Sequence, residues 1–412
     1  MIDFEKFTLD NGLRVLIHRD KNTPIVSVNT LYKVGARDES PEKTGFAHLF
    51  EHLMFSGSKN VPDFDMPIQK AGGQNNAFTN NDFTNYYITL PKENIETAFW
   101  LESDRMLDLG FSENGLEVQR KVVIEEFGQR YLNQPYGELW LELRPMAYKV
   151  HPYQWATIGK SVKHIEDATM EDVKTFYQDY YSPSNAILTI SGDVEVDHVL
   201  DRIAHWYGDI PPSKRPVLNL DQEPITIEAE TKTLERDVAQ NALHLAWIMC
   251  ERSHPDYFKF DLLSDILGNG KSSRLHRNLV TESRLFTQLS AYITGSIDRG
   301  LIVISGMLSE GVDHDLGRAK IMSIIKDLAS QPPSEREVEK VKNKMLSQKA
   351  IAETGSLYKA MNLSYFEMLG DANDANHFQD EYLKVRGFEI QNVAGQLLTR
   401  GVKELRYKKN DQ

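Results

Sequence analysis

Three residues in one short stretch, His48, Glu51 and His52, have the types and spacing for metal chemistry. On a helix the two histidines fall at i and i+4, which stacks their imidazoles on one face at a spacing suited to a single tetrahedral ion. Glu51, next to the second histidine, can reach a water at that ion without displacing a ligand, in the reverse of the commoner H-E-x-x-H order. Zinc, one ion per chain, is the expected metal, because it accepts imidazole and carboxylate ligands and needs no redox chemistry. The chemistry implied is hydrolysis with Glu51 as general base. Phe46, Ala47, Leu49, Phe50, Leu53, Met54 and Phe55 surround the motif, so the helix is apolar nearly all round and reads as buried. Polar groups inside such a helix need partners or a metal. The competing reading is a pair of hydrogen-bonded core histidines with a glutamate paired to one of them.

A catalytic zinc needs a third protein ligand from elsewhere in the chain. Glu126 is the candidate. Within a helical pattern over Leu116 to Arg130, Glu126 continues the i, i+4 row of Val118 and Val122 and is expected to point inward, whereas Glu125 shares its row with Lys121 and Gln129 and is expected to face solvent.

The elements that must position these residues can be read from periodicity. Phe7 to Leu9, the turn Asp10-Asn11-Gly12, and Leu13 to Ile17 form two strands of a hairpin. Val26 to Tyr32 alternates as a third strand, with Val26, Val28, Thr30 and Tyr32 on one side and Ser27, Asn29 and Leu31 on the other. Helical patterns follow at Thr44 to Phe55, Glu93 to Leu107 and Leu116 to Arg130, with strands at Asn85 to Leu90 and Ile187 to Ser191. The fold class is α+β. Prolines 211, 212, 216 and 224 mark a break in the chain. The division expected is a catalytic zinc-binding domain at 1–212, a linker at 213–224, and a homologous non-catalytic domain at 225–412. Duplication is visible when Phe46 through Gly57 is laid on Lys259 through Gly270: most apolar positions and the final glycine persist, while His48, Glu51 and His52 become Asp261, Ser264 and Asp265. Each domain is expected to be a mainly antiparallel sheet packed with helices, and the chemistry belongs to the first copy.

Composition sets outer bounds. The 412 residues carry 47 basic and 60 acidic side chains, a formal charge of −13, which argues against nucleic acid as a partner. Cys250 is the only cysteine, which excludes an intrachain disulfide and any site built from several thiolates of this chain. No run of about 18 apolar residues could span a bilayer and no secretory signal opens the chain, so the expected compartment is the cytoplasm, or the periplasm if an export signal has been removed.

The run Gly45 to Phe55, with Val122-Val123-Ile124-Glu125-Glu126 ending 74 residues beyond the second histidine, resembles the inverted-motif (H-x-x-E-H) zinc peptidases that include pitrilysin, insulysin and mitochondrial processing peptidase. Asn11-Gly12, Gly72-Gly73, Tyr86-Tyr87, His151-Pro152-Tyr153 and Tyr181 to Asn185 look like family landmarks in their usual order. The resemblance implies that His48, His52 and Glu126 bind zinc and that Glu51 moves a proton from water to the leaving amine. It also implies that Asn76-Ala77-Phe78-Thr79 is an edge strand onto which peptide substrate adds by backbone hydrogen bonds. Two departures stand out. Where the family usually has a further acid, seven residues before the third ligand, this chain has Gln119. Where family members often carry an Arg and a Tyr in the second half, it has Val280 and Thr287; Arg274 and Tyr292 lie nearby but off that register. Family enzymes enclose substrate between two halves, and this chain supplies one. The resemblance therefore implies a homodimer, or a heterodimer with a homologous subunit carrying the missing Arg and Tyr. The activity implied is a zinc endopeptidase; the alternative is a non-catalytic or partner-dependent subunit of a processing-peptidase-like complex.

Overall fold

The computed structural model describes residues 1–216 and 218–410. Its strands are β1 (Glu5–Thr8), β2 (Arg14–Arg19), β3 (Ile25–Tyr32), β4 (Gln74–Thr79), β5 (Thr84–Pro91), β6 (Ala186–Gly192), β7 (Glu230–Arg236), β8 (Ala242–Ile248), β9 (Phe286–Ile293), β10 (Leu301–Leu308) and β11 (Lys403–Lys409). They form two sheets, ordered β1-β2-β6-β3-β5-β4 and β7-β11-β8-β10-β9. Each sheet is antiparallel except for one parallel pair, β2 with β6 in the first and β7 with β11 in the second. Without β1, the first order maps strand for strand onto the second. The fold is thus α+β, with duplicated domains.

Two compact units emerge. The first comprises Met1–Gly128, Trp155–Asn219 and Lys349–Phe378; the second comprises Gln129–Gln154, Leu220–Gln348 and the segment from Gln379 onward. The expected division at 212 and 225 follows chain order, and the units do not: 129–154 joins the second and 349–378 the first. Packing gives the reason. The helix Ser356–Leu369 lies on β3 and β6, and its Leu363 and Phe366 bury with Leu16, Leu31 and Ile187. The helix Leu139–Ala147 packs on β8 and β11 of the second sheet, with Leu143 and Met146 in the cluster of Ala246, Val303 and Leu405. Residues 211–216 and 218–229, which include most of the expected linker, carry neither helix nor strand.

In the first unit, the helices that precede β6 include α1 (Phe46–Leu53), α2 (Asp65–Lys70), α3 (Ile95–Leu107) and α4 (Glu113–Phe127). β3 is covered on both faces, which the alternation of its sequence conceals. On one face Ser27 Oγ meets Ser356 Oγ at 2.9 Å, and Asn29 Nδ2 donates to Asn85 Oδ1 at 3.0 Å and to Ser364 Oγ at 2.9 Å. On the other face Thr30 donates to the buried Glu102 of α3 at 2.9 Å. These buried polar residues persist because each has a partner; losing one would cost about 1–3 kcal/mol. Among the described residues no helix is long and apolar enough to cross a membrane.

Candidate metal centre

α1 starts later than expected, at Phe46 rather than Thr44, because Gly45 turns the chain with φ of +90°. Only glycine adopts this freely, and an added Cβ would lie 2.6 Å from the Ile158 carbonyl oxygen. Phe46, Ala47, Leu49, Phe50 and Leu53 are buried, whereas His48, Glu51 and His52 are half-buried and share the remaining open face. Beneath the C-terminal end of α1, the fully buried Arg105 pairs with Glu102 and lies 4.4 Å from the ring centres of both Phe64 and Tyr86. The Tyr86 hydroxyl donates to the Phe50 carbonyl of α1 at 3.5 Å, which ties the helix to this cluster.

α4 packs against α1 and brings Glu126 to the histidines. His52 Nε2 lies 3.2 Å and His48 Nε2 3.7 Å from Glu126 Oε2, and one ligating atom from each residue lies within 4.8 Å of the others. Ligands about 2.0–2.1 Å from a tetrahedral zinc would stand about 3.3 Å apart, so two nitrogens and one oxygen at these spacings fit the ion. No other such group occurs among the described residues. The inward face of α4 is not the one expected from Val118 and Val122, however. Val118 and Val122 are 47% and 43% exposed, and the inward face of α4 is Leu116, Val123 and Phe127. Glu126 reaches the histidines from the flank of that face. Glu125 is exposed, and Gln119 lies part-buried two turns before Glu126 on the same flank.

Glu51 sits beside His52 with its carboxyl raised above the ordinary glutamate range, chiefly by burial and also by the Glu126 charge. The hydroxyl and backbone of nearby Thr79, together with His52, pull it back, while the same hydroxyl donates to Thr84 Oγ1 at 3.3 Å. Thr79 ends β4, which pairs only with β5 and so forms an edge of its sheet. Asn76, Ala77 and Phe78 lie along that edge, where the Ala77 N–H donates to Asn76 Oδ1 at 2.8 Å. The contact between Thr79 and Glu51 carries no signal in the sequence, since it depends on where β4 ends relative to α1.

Sequence reasoning also missed Glu39. It is 6% exposed, and its two carboxylate oxygens accept from Gly45 N–H at 2.9 Å and Ala47 N–H at 2.8 Å. Burial pushes its carboxyl up to about 8, against the opposing pull of these N–H groups. An acid followed by a short polar loop before a glycine-initiated helix was the available clue. In the second unit, the helix Tyr257–Gly268 occupies the place of α1, and the glycines after the two helices, Gly57 and Gly270, share φ of +97°. There Asp261 accepts from the Tyr382 hydroxyl, Ser264 donates to the Asp261 carbonyl at 2.8 Å, and Asn269 donates to Asp265, so the aligned positions serve packing.

Two family models match consecutive parts of the chain: insulinase (peptidase family M16) over residues 14–155 and the peptidase M16 inactive domain over residues 167–345. The chain belongs to peptidase family M16. The zinc protease PqqE of Helicobacter pylori is 29% identical over 95% of this chain and 89% of its own length. The probable mitochondrial-processing peptidase subunit beta of Schizosaccharomyces pombe is 26% identical over 72% of this chain and 67% of its own. A crystal structure of a protease from Helicobacter pylori superposes with a TM-score of 0.94 at 28% identity, covering 99% of this chain and all of that one. The M16 pairing of an N-terminal family domain with one described as inactive agrees with a metal group that lies wholly in the first unit.

Proposed function

We propose that this chain is a zinc-dependent endopeptidase that cleaves peptides or unfolded polypeptide segments within a closed chamber. The observation that carries the reading is the convergence of His48, His52 and Glu126 beside the Glu51 carboxylate. His48, His52 and Glu126 would hold the ion. When bound, zinc supplies a Lewis acid that acidifies water and polarises a carbonyl. Glu51 takes a proton from the attacking water and passes it to the leaving amine. Thr79 fixes the direction of that carboxylate, and the raised affinity of Glu51 for a proton suits both halves of the transfer. The edge of β4 offers Asn76, Ala77, Phe78 and Thr79 to an extended substrate, whose backbone pairs in any sequence.

Metal analysis and a peptide-library digest of wild type and Glu51→Gln test this reading. We expect one zinc per chain in both proteins and loss of hydrolysis in the variant by about a hundredfold to ten-thousandfold. Cleavage that survives Glu51→Gln rules the mechanism out.

A partner-dependent role is favoured by a specific observation. Val280, in the helical turn His276–Glu282, and Thr287, on β9, stand where the family often has Arg and Tyr, and the Thr287 hydroxyl is spent on Gln240 at 3.2 Å. A homologous subunit carrying the pair would complete the grip on substrate, as a second copy or as a different chain. Full activity of the purified chain as a monomer counts against both arrangements.

A further inference from the structure

α1 is an eight-residue helix that carries both proposed imidazole ligands and the proposed base, so its rotation about its own axis sets the metal geometry. Side chains stand about 5–6 Å from a helix axis, so a turn of about 10° moves an imidazole by about 1 Å. Metal sites tolerate roughly ±0.2 Å. Something must therefore fix the azimuth of α1. The usual device is an N-cap side chain that binds the first free N–H groups. Here the N-cap is Gly45, whose φ of +90° excludes a capping side chain, and the start of the helix is buried away from water. Glu39 takes over that duty from six residues upstream, holding Gly45 N–H and Ala47 N–H with one oxygen each. Its bond to Gly45 also closes the loop Ser40 to Thr44, which a Ser40 to Lys43 backbone bond of 2.9 Å tightens further.

We infer that Glu39 is a positioning residue for the metal centre, its two-point grip on the first turn of α1 setting how His48 and His52 face Glu126. The inference rests on the zinc peptidase reading and adds a residue to it that touches neither metal nor substrate. A carboxyl group suits this place because it offers one oxygen to each of the two N–H groups. Glutamine would offer one acceptor and aim an N–H group at the other donor.

The test compares full-length wild type, Glu39→Gln and Glu39→Asp with Glu367→Gln. Glu367 is a buried acid of the first unit that pairs with Lys6 and Arg14 and has no part in α1. Zinc affinity is measured by chelator competition, ligand geometry from the visible absorption of the cobalt-substituted protein, and folding from thermal melting. We expect Glu39→Gln to bind zinc about 10–100-fold more weakly with an altered cobalt spectrum. Glu367→Gln should lose thermal stability while keeping both metal readouts. Glu39→Asp, one methylene too short to hold both N–H groups, should fall between and serves if the glutamine variant does not fold. Zinc affinity within twofold of wild type and an unchanged cobalt spectrum in a folded Glu39 variant overturn the inference and leave the peptidase reading intact. A wild type that binds no zinc overturns both.

Discussion

The hydroxyl and backbone of Thr79 both lower the proton affinity of Glu51, so a single residue at the end of an edge strand links the proposed substrate strand to the proposed base. Thr79→Val removes the hydroxyl and keeps shape and backbone. A hydrogen bond to a charged group contributes about 1.5–3 kcal/mol, and the remaining N–H bond retains part of the orientation, so kcat should fall about tenfold. KM and zinc content should hold. Steady-state kinetics beside metal analysis decide the matter, and a kcat within twofold of wild type denies the hydroxyl any role in orienting Glu51. Glu126 shows how far a sequence argument reaches at this scale. Helical phase set it apart from Glu125, which is exposed, but the row used to define the interior, Val118 and Val122, is exposed as well. Valines signalled burial by type, whereas the α4 interior was set by contacts with α1 that no local pattern contains.

Gly45 decides where the metal-binding helix begins. In Gly45→Ala the chain must hold a left-handed φ at a residue with a Cβ, which costs about 1–2 kcal/mol, and must relieve a 2.6 Å approach to a backbone oxygen that cannot yield like a side chain. A total of about 2–4 kcal/mol lowers the melting temperature by roughly 5–10 °C in a unit of this size. Calorimetry checks the shift, and a variant that melts with wild type shows that the loop relaxes freely. In the first unit much was legible: the hairpin of β1 and β2, strands β3, β5 and β6, and helices α1, α3 and α4 lie within a few residues of their expected ranges. Boundaries moved where tertiary contacts overrode the pattern, as at Gly45. The alternation of β3 did not show that both its faces are covered, because Ser27 and Asn29 are buried against a helix more than 300 residues later in the chain. Such pairings leave no trace in local periodicity.

At the scale of the whole molecule, duplication was legible because the apolar frame of the helix and its closing glycine survive in both copies. The exchange of segments between units was not, since nothing in 129–154 or 349–378 announces which sheet it covers. What the second copy put in place of ligands has a consequence for stability against pH. His244, buried in the second sheet with Nδ1 on Ser305 at 2.9 Å, is driven down by burial to about 4 from 6.5. Its neutral form is the folded one, so it contributes stability fully above pH 6.5 that fades as pH falls toward 4, in all about 3 kcal/mol. Asp261, at the position aligned with His48, is driven the other way by burial, up to about 6 from 3.8. It holds a charge in the fold at a penalty of about 3 kcal/mol above pH 6, and that penalty lifts as pH falls toward 3.8. The two slopes oppose each other across nearly the same window. Asp261→Asn, which can still accept from Tyr382, removes the offset, so its stability relative to wild type should be greatest near pH 7 and decline as pH drops to 4.5. His244→Gln should do the reverse, gaining on wild type as pH falls. Urea midpoints of the three proteins at pH 7, 6, 5 and 4.5 give these differences with every other titrating group in common, and parallel curves for all three would show that neither group changes its proton affinity on folding.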